Sequence, residues 1–284
     1  MKLKRRANLE PYLLLLPSLV YLAVFFAWPM VQAFSLAFRA DDGRWTLEFF
    51  GRMIGDAAFL PALRTTLILV VVIVPLQFIL ALAMALLATA GLRGSGALIY
   101  FYALPIAVSD LAAGIVWFSI FTERGYLNTV LQGLGLLERP FIFLQYGATW
   151  SLIAVVLAEV WRATSIVFVI LVAGLQGIPK EYFEAAEVFG AGWFARLRRV
   201  TLPMLRPSIQ VALILRTILA FQVFAVVVAI TGGRVLASEA YQWYSQWRNL
   251  NVAAAYAALI LAISLLSTGI YLRALRTRTE AMSV

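Results

Sequence analysis

The chain has 284 residues, of which 63% are hydrophobic and 13% charged, with a mean hydropathy of +0.90; soluble domains average about a quarter charged, so this composition belongs in a membrane. A separate soluble domain would need an uninterrupted polar block of on the order of 100 residues, and the sequence has none. Cysteine and histidine are both absent, which excludes thiol nucleophiles, disulfides, imidazole relays and nearly all transition-metal sites; the net charge of +9 is spread along loops, not gathered with aromatics as a nucleic-acid surface requires.

A membrane-spanning helix needs roughly 20 apolar residues. Six segments qualify in chain order: residues 11–38, 62–90, 98–121, 149–175, 205–231 and 252–272. The first follows "MKLKRR", but its apolar run is too long for a signal peptide and reads as a retained helix. Pro75 and Pro105 fall inside spans and mark candidate kinks. Residues 122–148 are long enough for a short helix lying at the interface; the other loops read as simple connections. The fold class is all-α, a polytopic membrane protein with residues 1–10 and 276–284 as tails. Of the basic residues other than Arg162 and Arg216, thirteen fall on the face of both tails and eight on the other, so both termini are expected in the cytoplasm.

One loop departs from the apolar pattern. "EYFEAAEVFGAGWFARLRRVTLP", residues 181–203, lies on the cytoplasmic face between the fourth and fifth spans. Ile178-Pro179 can start a helix, residues 190–192 break it, residues 193–200 make a second, and Pro203 is expected to stop it. Glu181, Glu184 and Glu187 recur at spacing three near the start, where negative charge suits the helix dipole. A charged, hinged piece of this kind is suited to contact a partner.

Glu184-Ala185-Ala186, then Gly190, then Val200-Thr201-Leu202-Pro203 resembles the EAA loop of permease subunits in binding-protein-dependent ABC importers. "AEVWRATSIVFVILVAGLQGIPKEYFEAA", "LRPSIQVALILRTILAFQVF" and the triplet Thr231-Gly232-Gly233 resemble the maltose-transporter-type, carbohydrate-uptake branch, and the resemblance covers essentially the whole chain. It implies a type I (MetI-like) importer permease fold with a coupling loop at 177–203. Glu184, Ala185, Ala186, Gly190, Leu202 and Pro203 would then contact a cytosolic ATPase. The implied partners are a second homologous permease in a heterodimer, two copies of the ATPase, an extracytoplasmic solute-binding protein and a sugar-like solute in a bacterial or archaeal cytoplasmic membrane. ATP and Mg would be bound by the ATPase, because the chain has no GxxxxGK[ST] loop of its own; no catalytic, cofactor or metal residue is assigned. The family usually carries aspartate before the glycine, and Phe189 stands there.

Four ionisable residues lie deep within the expected spans, away from their ends: Asp110, Glu159, Arg162 and Arg216. Counted at about 1.5 Å per residue, Asp110, Glu159 and Arg216 fall roughly 15–18 Å from their helix starts, near the middle of a ~30 Å core. Facing lipid, each would cost at least ~2.5 kcal/mol, so they should point inward and at one another. Glu159 and Arg162, three apart, can pair on one face. Two readings remain open: a polar belt lining the solute path, or an ion network that fixes helix packing. The resemblance adds Ile166, Ala220 and Gln222 to the path positions. A stand-alone secondary transporter using the same charges for ion coupling is the alternative, although the inverted repeats expected of one are not visible.

Overall fold

The computed structural model describes residues 10–275 apart from residues 41, 146 and 148. Both tails, with Lys2, Lys4, Arg5, Arg6, Arg276 and Arg278, lie outside the described residues apart from Glu10.

The described residues are mostly helical. Helix α1 (Glu10–Leu22) continues through a π-helical turn at Ala23–Ala27 into α2 (Trp28–Ser35). Then come α3 (Glu48–Gly55), α4 (Phe59–Ala88) and α5 (Ser95–Ala103), the last extended by a 3-10 turn at Leu104–Ala107. Helices α6 (Asp110–Phe121), α7 (Tyr126–Gly133), α8 (Thr149–Gln176) and α9 (Lys180–Val188) follow. Helix α10 (Trp193–Arg196) passes through a second π-helical stretch, Leu197–Thr201, into α11 (Leu202–Phe221). The chain ends with α12 (Ala225–Thr231), α13 (Leu236–Ser245) and α14 (Leu250–Ala274). Among the described residues, five helices are long and apolar enough to cross a membrane, and six when one bent pair is counted as a single span.

Four expectations are corrected. The third span is not one helix: the chain turns through 95° between Ser95–Ala107 and Asp110–Gly133. Pro105 sits in the 3-10 turn, and Ser109 caps the restart by accepting a hydrogen bond from the Ala112 N–H at 3.2 Å. Asp110 is therefore the first residue of a helix, where a carboxylate complements the dipole. The fifth span breaks at residues 222–224, leaving α12 separate. Pro203 does not stop its helix. A proline in the first turn lacks only an N–H, and the π-helical stretch just before it absorbs the lost bond, so residues 193–221 form one rod. Finally, the loops around α3 and α13 carry helices of their own and are not simple connections. Pro75, by contrast, leaves α4 unbroken.

The residues divide into two compact units, Met1–Asp56 with Ala240–Leu259, and Ala57–Glu239 with Ile260–Val284. In the first unit, Phe49 and Met53 of α3 are buried. The Trp243 indole donates to Asp56 Oδ2 at 3.2 Å, and the Asn251 amide donates to the Arg39 carbonyl at 3.0 Å. The Tyr12–Ser35 span has none of its residues buried.

The second unit is built on α4, α8 and α11. Lipid is as apolar as leucine, so helices in a membrane associate through close packing of small residues. Ala81, Ala85 and Ala88 of α4, Ala154, Ala158 and Ala163 of α8 and Ala212 of α11 are all buried, while Val71, Ile79 and Leu80 of α4 face outward. Gly174 of α8 lies so near α11 that a Cβ there would fall 2.3 Å from Ser208 Oγ. The apolar core forms two layers. One includes Leu69, Ile73, Ala158, Val226 and Ile230, and the other includes Ala81, Ala85, Phe168, Leu171 and Leu205.

Candidate functional site

Between those apolar layers lies a polar one. On α4, Gln77 falls between Ile73 and Ala81; on α8, Glu159 and Arg162 fall between Ala158 and Val167; on α11, Arg216 falls between Ala212 and Ala220. The Arg216 guanidinium donates through Nη2 to Glu159 Oε2 at 2.7 Å and through Nε to Gln77 Oε1, while the Gln77 amide donates to the Glu159 carbonyl at 2.7 Å. Arg162 Nη1 lies 2.9 Å from Asp110 Oδ1, and its Nη2 lies 3.5 Å from Glu159 Oε1. Four helices are tied by one chain of contacts running Asp110, Arg162, Glu159, Arg216, Gln77.

Burial divides this chain into two ends. Glu159 and Arg216 are at most 1% exposed, sealed among α4, α8 and α11. At the other end the Arg162 side chain is 12% exposed and that of Asp110 52%. The Arg162 Nε is buried without a hydrogen-bond acceptor, a donor left over after the ion pairs are made. Two carboxylates face two guanidinium groups, so the layer is neutral as a whole.

The other path positions do not join the cluster. Ala220 is buried, Ile166 half-buried, and Gln222 is exposed in the break after α11. Trp161, next to Arg162 in sequence, lines a separate cavity of about 600 Å³ with Leu80, Met84 and Pro105. Gln77 was missed by the sequence reasoning, although it is the lone polar side chain between Thr66 and Thr89.

The loop at 177–203 is a hinged hairpin of two helices. At the end of α9 the Gly190 N–H reaches the Glu187 carbonyl at 2.8 Å and the Ala191 N–H reaches the Ala186 carbonyl at 2.9 Å. This closure requires a left-handed residue, supplied by Gly190 at φ +71°. Across the turn, Glu187 is ion-paired with Arg196. That pair braces the loop where Phe189, 87% exposed, has no polar group to offer. Glu184 and Ala185 are exposed, Ala186 is half-buried, and Leu202 and Pro203 are half-buried at the start of α11. A cavity of about 410 Å³ separates this hairpin from the end of α4, lined by Leu86, Thr89, Phe183, Trp193 and Arg196 among others.

A family model described as "Binding-protein-dependent transport system inner membrane component" matches residues 11–280. The sulfoquinovosyl glycerol transport system permease protein SmoG of Agrobacterium fabrum is 32% identical over 94% of this chain and 90% of its own length. The trehalose/maltose transport system permease protein MalF of Thermococcus litoralis is 30% identical over 98% of both. The sn-glycerol-3-phosphate transport system permease protein UgpA of Agrobacterium fabrum is 30% identical over 95% of this chain and 96% of its own. Among solved structures, a chain of a bacterial ABC transporter importing the acidic polysaccharide alginate superposes with a TM-score of 0.75 at 20% identity, covering 93% of this chain and 94% of that one.

Proposed function

The chain belongs to the family of binding-protein-dependent transport system inner membrane components, and from that premise we propose that it forms half of the solute path of an ATP-driven importer for a sugar or sugar derivative. Its relatives are named for sulfoquinovosyl glycerol, trehalose and maltose, and glycerol 3-phosphate, all hydroxylated solutes. One observation carries the mechanism. Residues 193–221 are a continuous rod from the hinged loop to the polar layer, about 43 Å long at 1.5 Å per residue.

The 177–203 loop faces the cytoplasm, and its exposed α9, with Glu184, Ala185 and Ala186, is the contact for a separate ATPase. That ATPase binds ATP and Mg; this chain holds neither and catalyses no step. When the ATPase closes, it moves α9, the Glu187–Arg196 pair transmits the displacement to α10, and the rod carries it to Arg216. Arg216 is bonded to Glu159 on α8 and Gln77 on α4, so these helices shift together and the population moves between inward-open and outward-open states. The solute meets the half-exposed end of the polar layer, Asp110 and Arg162, while Glu159 and Arg216 hold the helices. The second permease chain is a different subunit that covers the unburied first span, and an extracytoplasmic binding protein delivers the solute.

The test is the purified assembly. Copurification should yield a second permease chain, an ATPase and a loaded binding protein, and the binding protein should raise ATP turnover. Failure of any ATPase to copurify, or uptake in proteoliposomes indifferent to ATP and vanadate, would remove this reading.

A further inference from the structure

The Thr231-Gly232-Gly233 triplet has no part in the mechanism above, yet its Thr231 and Gly233 line a cavity of about 520 Å³, within the range of roughly 300–1,000 Å³ that suits small solutes. Gly232 takes φ +59°. The Thr231 hydroxyl donates to the Val227 carbonyl at 3.0 Å and accepts from the Gly233 N–H at 2.9 Å. A Cβ on Gly233 would fall 2.6 Å from that hydroxyl oxygen, so the turn is fitted tightly and brings Arg234 to the cavity. Leu60 and Pro61 in the first turn of α4, Arg64 and Thr65 in its second, and Thr149, the first residue of α8, also line it. The first turns of both helices therefore border the cavity, adding partial positive charge to two guanidinium groups.

Among the described residues no carboxylate lines it. Glu239 reaches Arg234 at 3.7 Å, but among the described residues no carboxylate oxygen comes within 4.0 Å of Arg64. The polar layer in the bundle balances its own charges, whereas this cavity does not. Arginines beside spans are also disfavoured on the face away from the cytoplasm, which is where the orientation proposed above puts them.

We propose that this cavity is an oxyanion site at the extracytoplasmic mouth of the path. It takes the carboxylate, phosphate or sulfonate of a hydroxylated solute between Arg64 and Arg234, with the threonine hydroxyls meeting the solute's own. The proposal rests on the import reading and narrows its solute to acidic sugars or polyol esters. A phospholipid headgroup presents the same oxyanion chemistry, so the test separates the two sources.

The whole assembly, with its ATPase, is placed in phosphatidylcholine nanodiscs and probed by equilibrium binding with two matched pairs, glucuronate against glucose and glycerol 3-phosphate against glycerol. At least one anion should bind saturably and about tenfold or more tighter than its neutral twin, the size of one lost charge-assisted contact. Arg64→Gln and Arg234→Gln should each remove that preference, and Arg64→Lys and Arg234→Lys should restore part of it, which separates lost charge from misfolding. Equal binding of anion and neutral twin, or arginine variants that bind like the wild type, overturns the proposal. In discs containing phosphatidylglycerol, native mass spectrometry that finds this lipid retained by the wild type, lost from the glutamine variants and blocking the anionic probes overturns the solute assignment in favour of lipid. Loss of the ATPase from the preparation instead counts against the import reading.

Discussion

Arg216→Leu tests whether the buried end of the polar layer is a brace. The substitution leaves Glu159 at 0% exposure with one counter-charge, Arg162, at 3.5 Å and already shared with Asp110 at 2.9 Å. Removing one partner of a buried pair costs about 3–5 kcal/mol; because Arg162 remains, the loss should fall near the lower end, about 3 kcal/mol. Unfolding entropy of ~2.1 cal/mol/K per residue gives about 0.6 kcal/mol/K for this chain, so the melting temperature should fall by on the order of 5 °C. The double variant Glu159→Leu with Arg216→Leu removes one charge of each sign and leaves the Arg162–Asp110 pair intact. It should melt within a degree or two of the wild type or above it, since replacing a buried pair by apolar residues is often neutral or stabilising by about 1–4 kcal/mol. Thermal unfolding of the assembly in nanodiscs reads both. A single variant as stable as the wild type, or a double variant that melts as low as the single, refutes the charge-compensation argument.

Three further outcomes are expected. Glu184→Lys, on the exposed face of α9, should leave the chain in the membrane yet abolish the rise in ATP turnover caused by loaded binding protein; undiminished stimulation contradicts the role of that loop. Gly190→Ala forces a side chain to φ +71° at about 1–2 kcal/mol and should weaken the same stimulation, whereas Gly192→Ala, at φ −65° with open space around its Cβ position, should leave it intact. Gly174→Val drives a side chain against Ser208 and Leu205 and should destabilise α8 against α11 by about 1–3 kcal/mol; Gly269→Val, with nothing within 4 Å, serves as the control in the same melting assay.

The sequence alone determined what local physics controls. A run of apolar residues must satisfy its backbone internally, so four of the six spans were readable to within a few residues, as where residues 62–90 were expected and Phe59–Ala88 is observed; the third and fifth, which break, were not. Glycine has no Cβ to strain, so the hinge at Gly190 was also legible. Contacts between distant segments belonged to the tertiary structure. Arg216 meets Glu159 and Gln77 across 57 and 139 residues, and only the packing of α4, α8 and α11 through their alanines and Gly174 brings those groups together. The same packing sets Asp110, at the helix start that Ser109 caps, against Arg162. It also divides a uniform-looking belt of charges into a sealed brace and an open end, because burial is a property of neighbours and no single helix carries it in its own pattern.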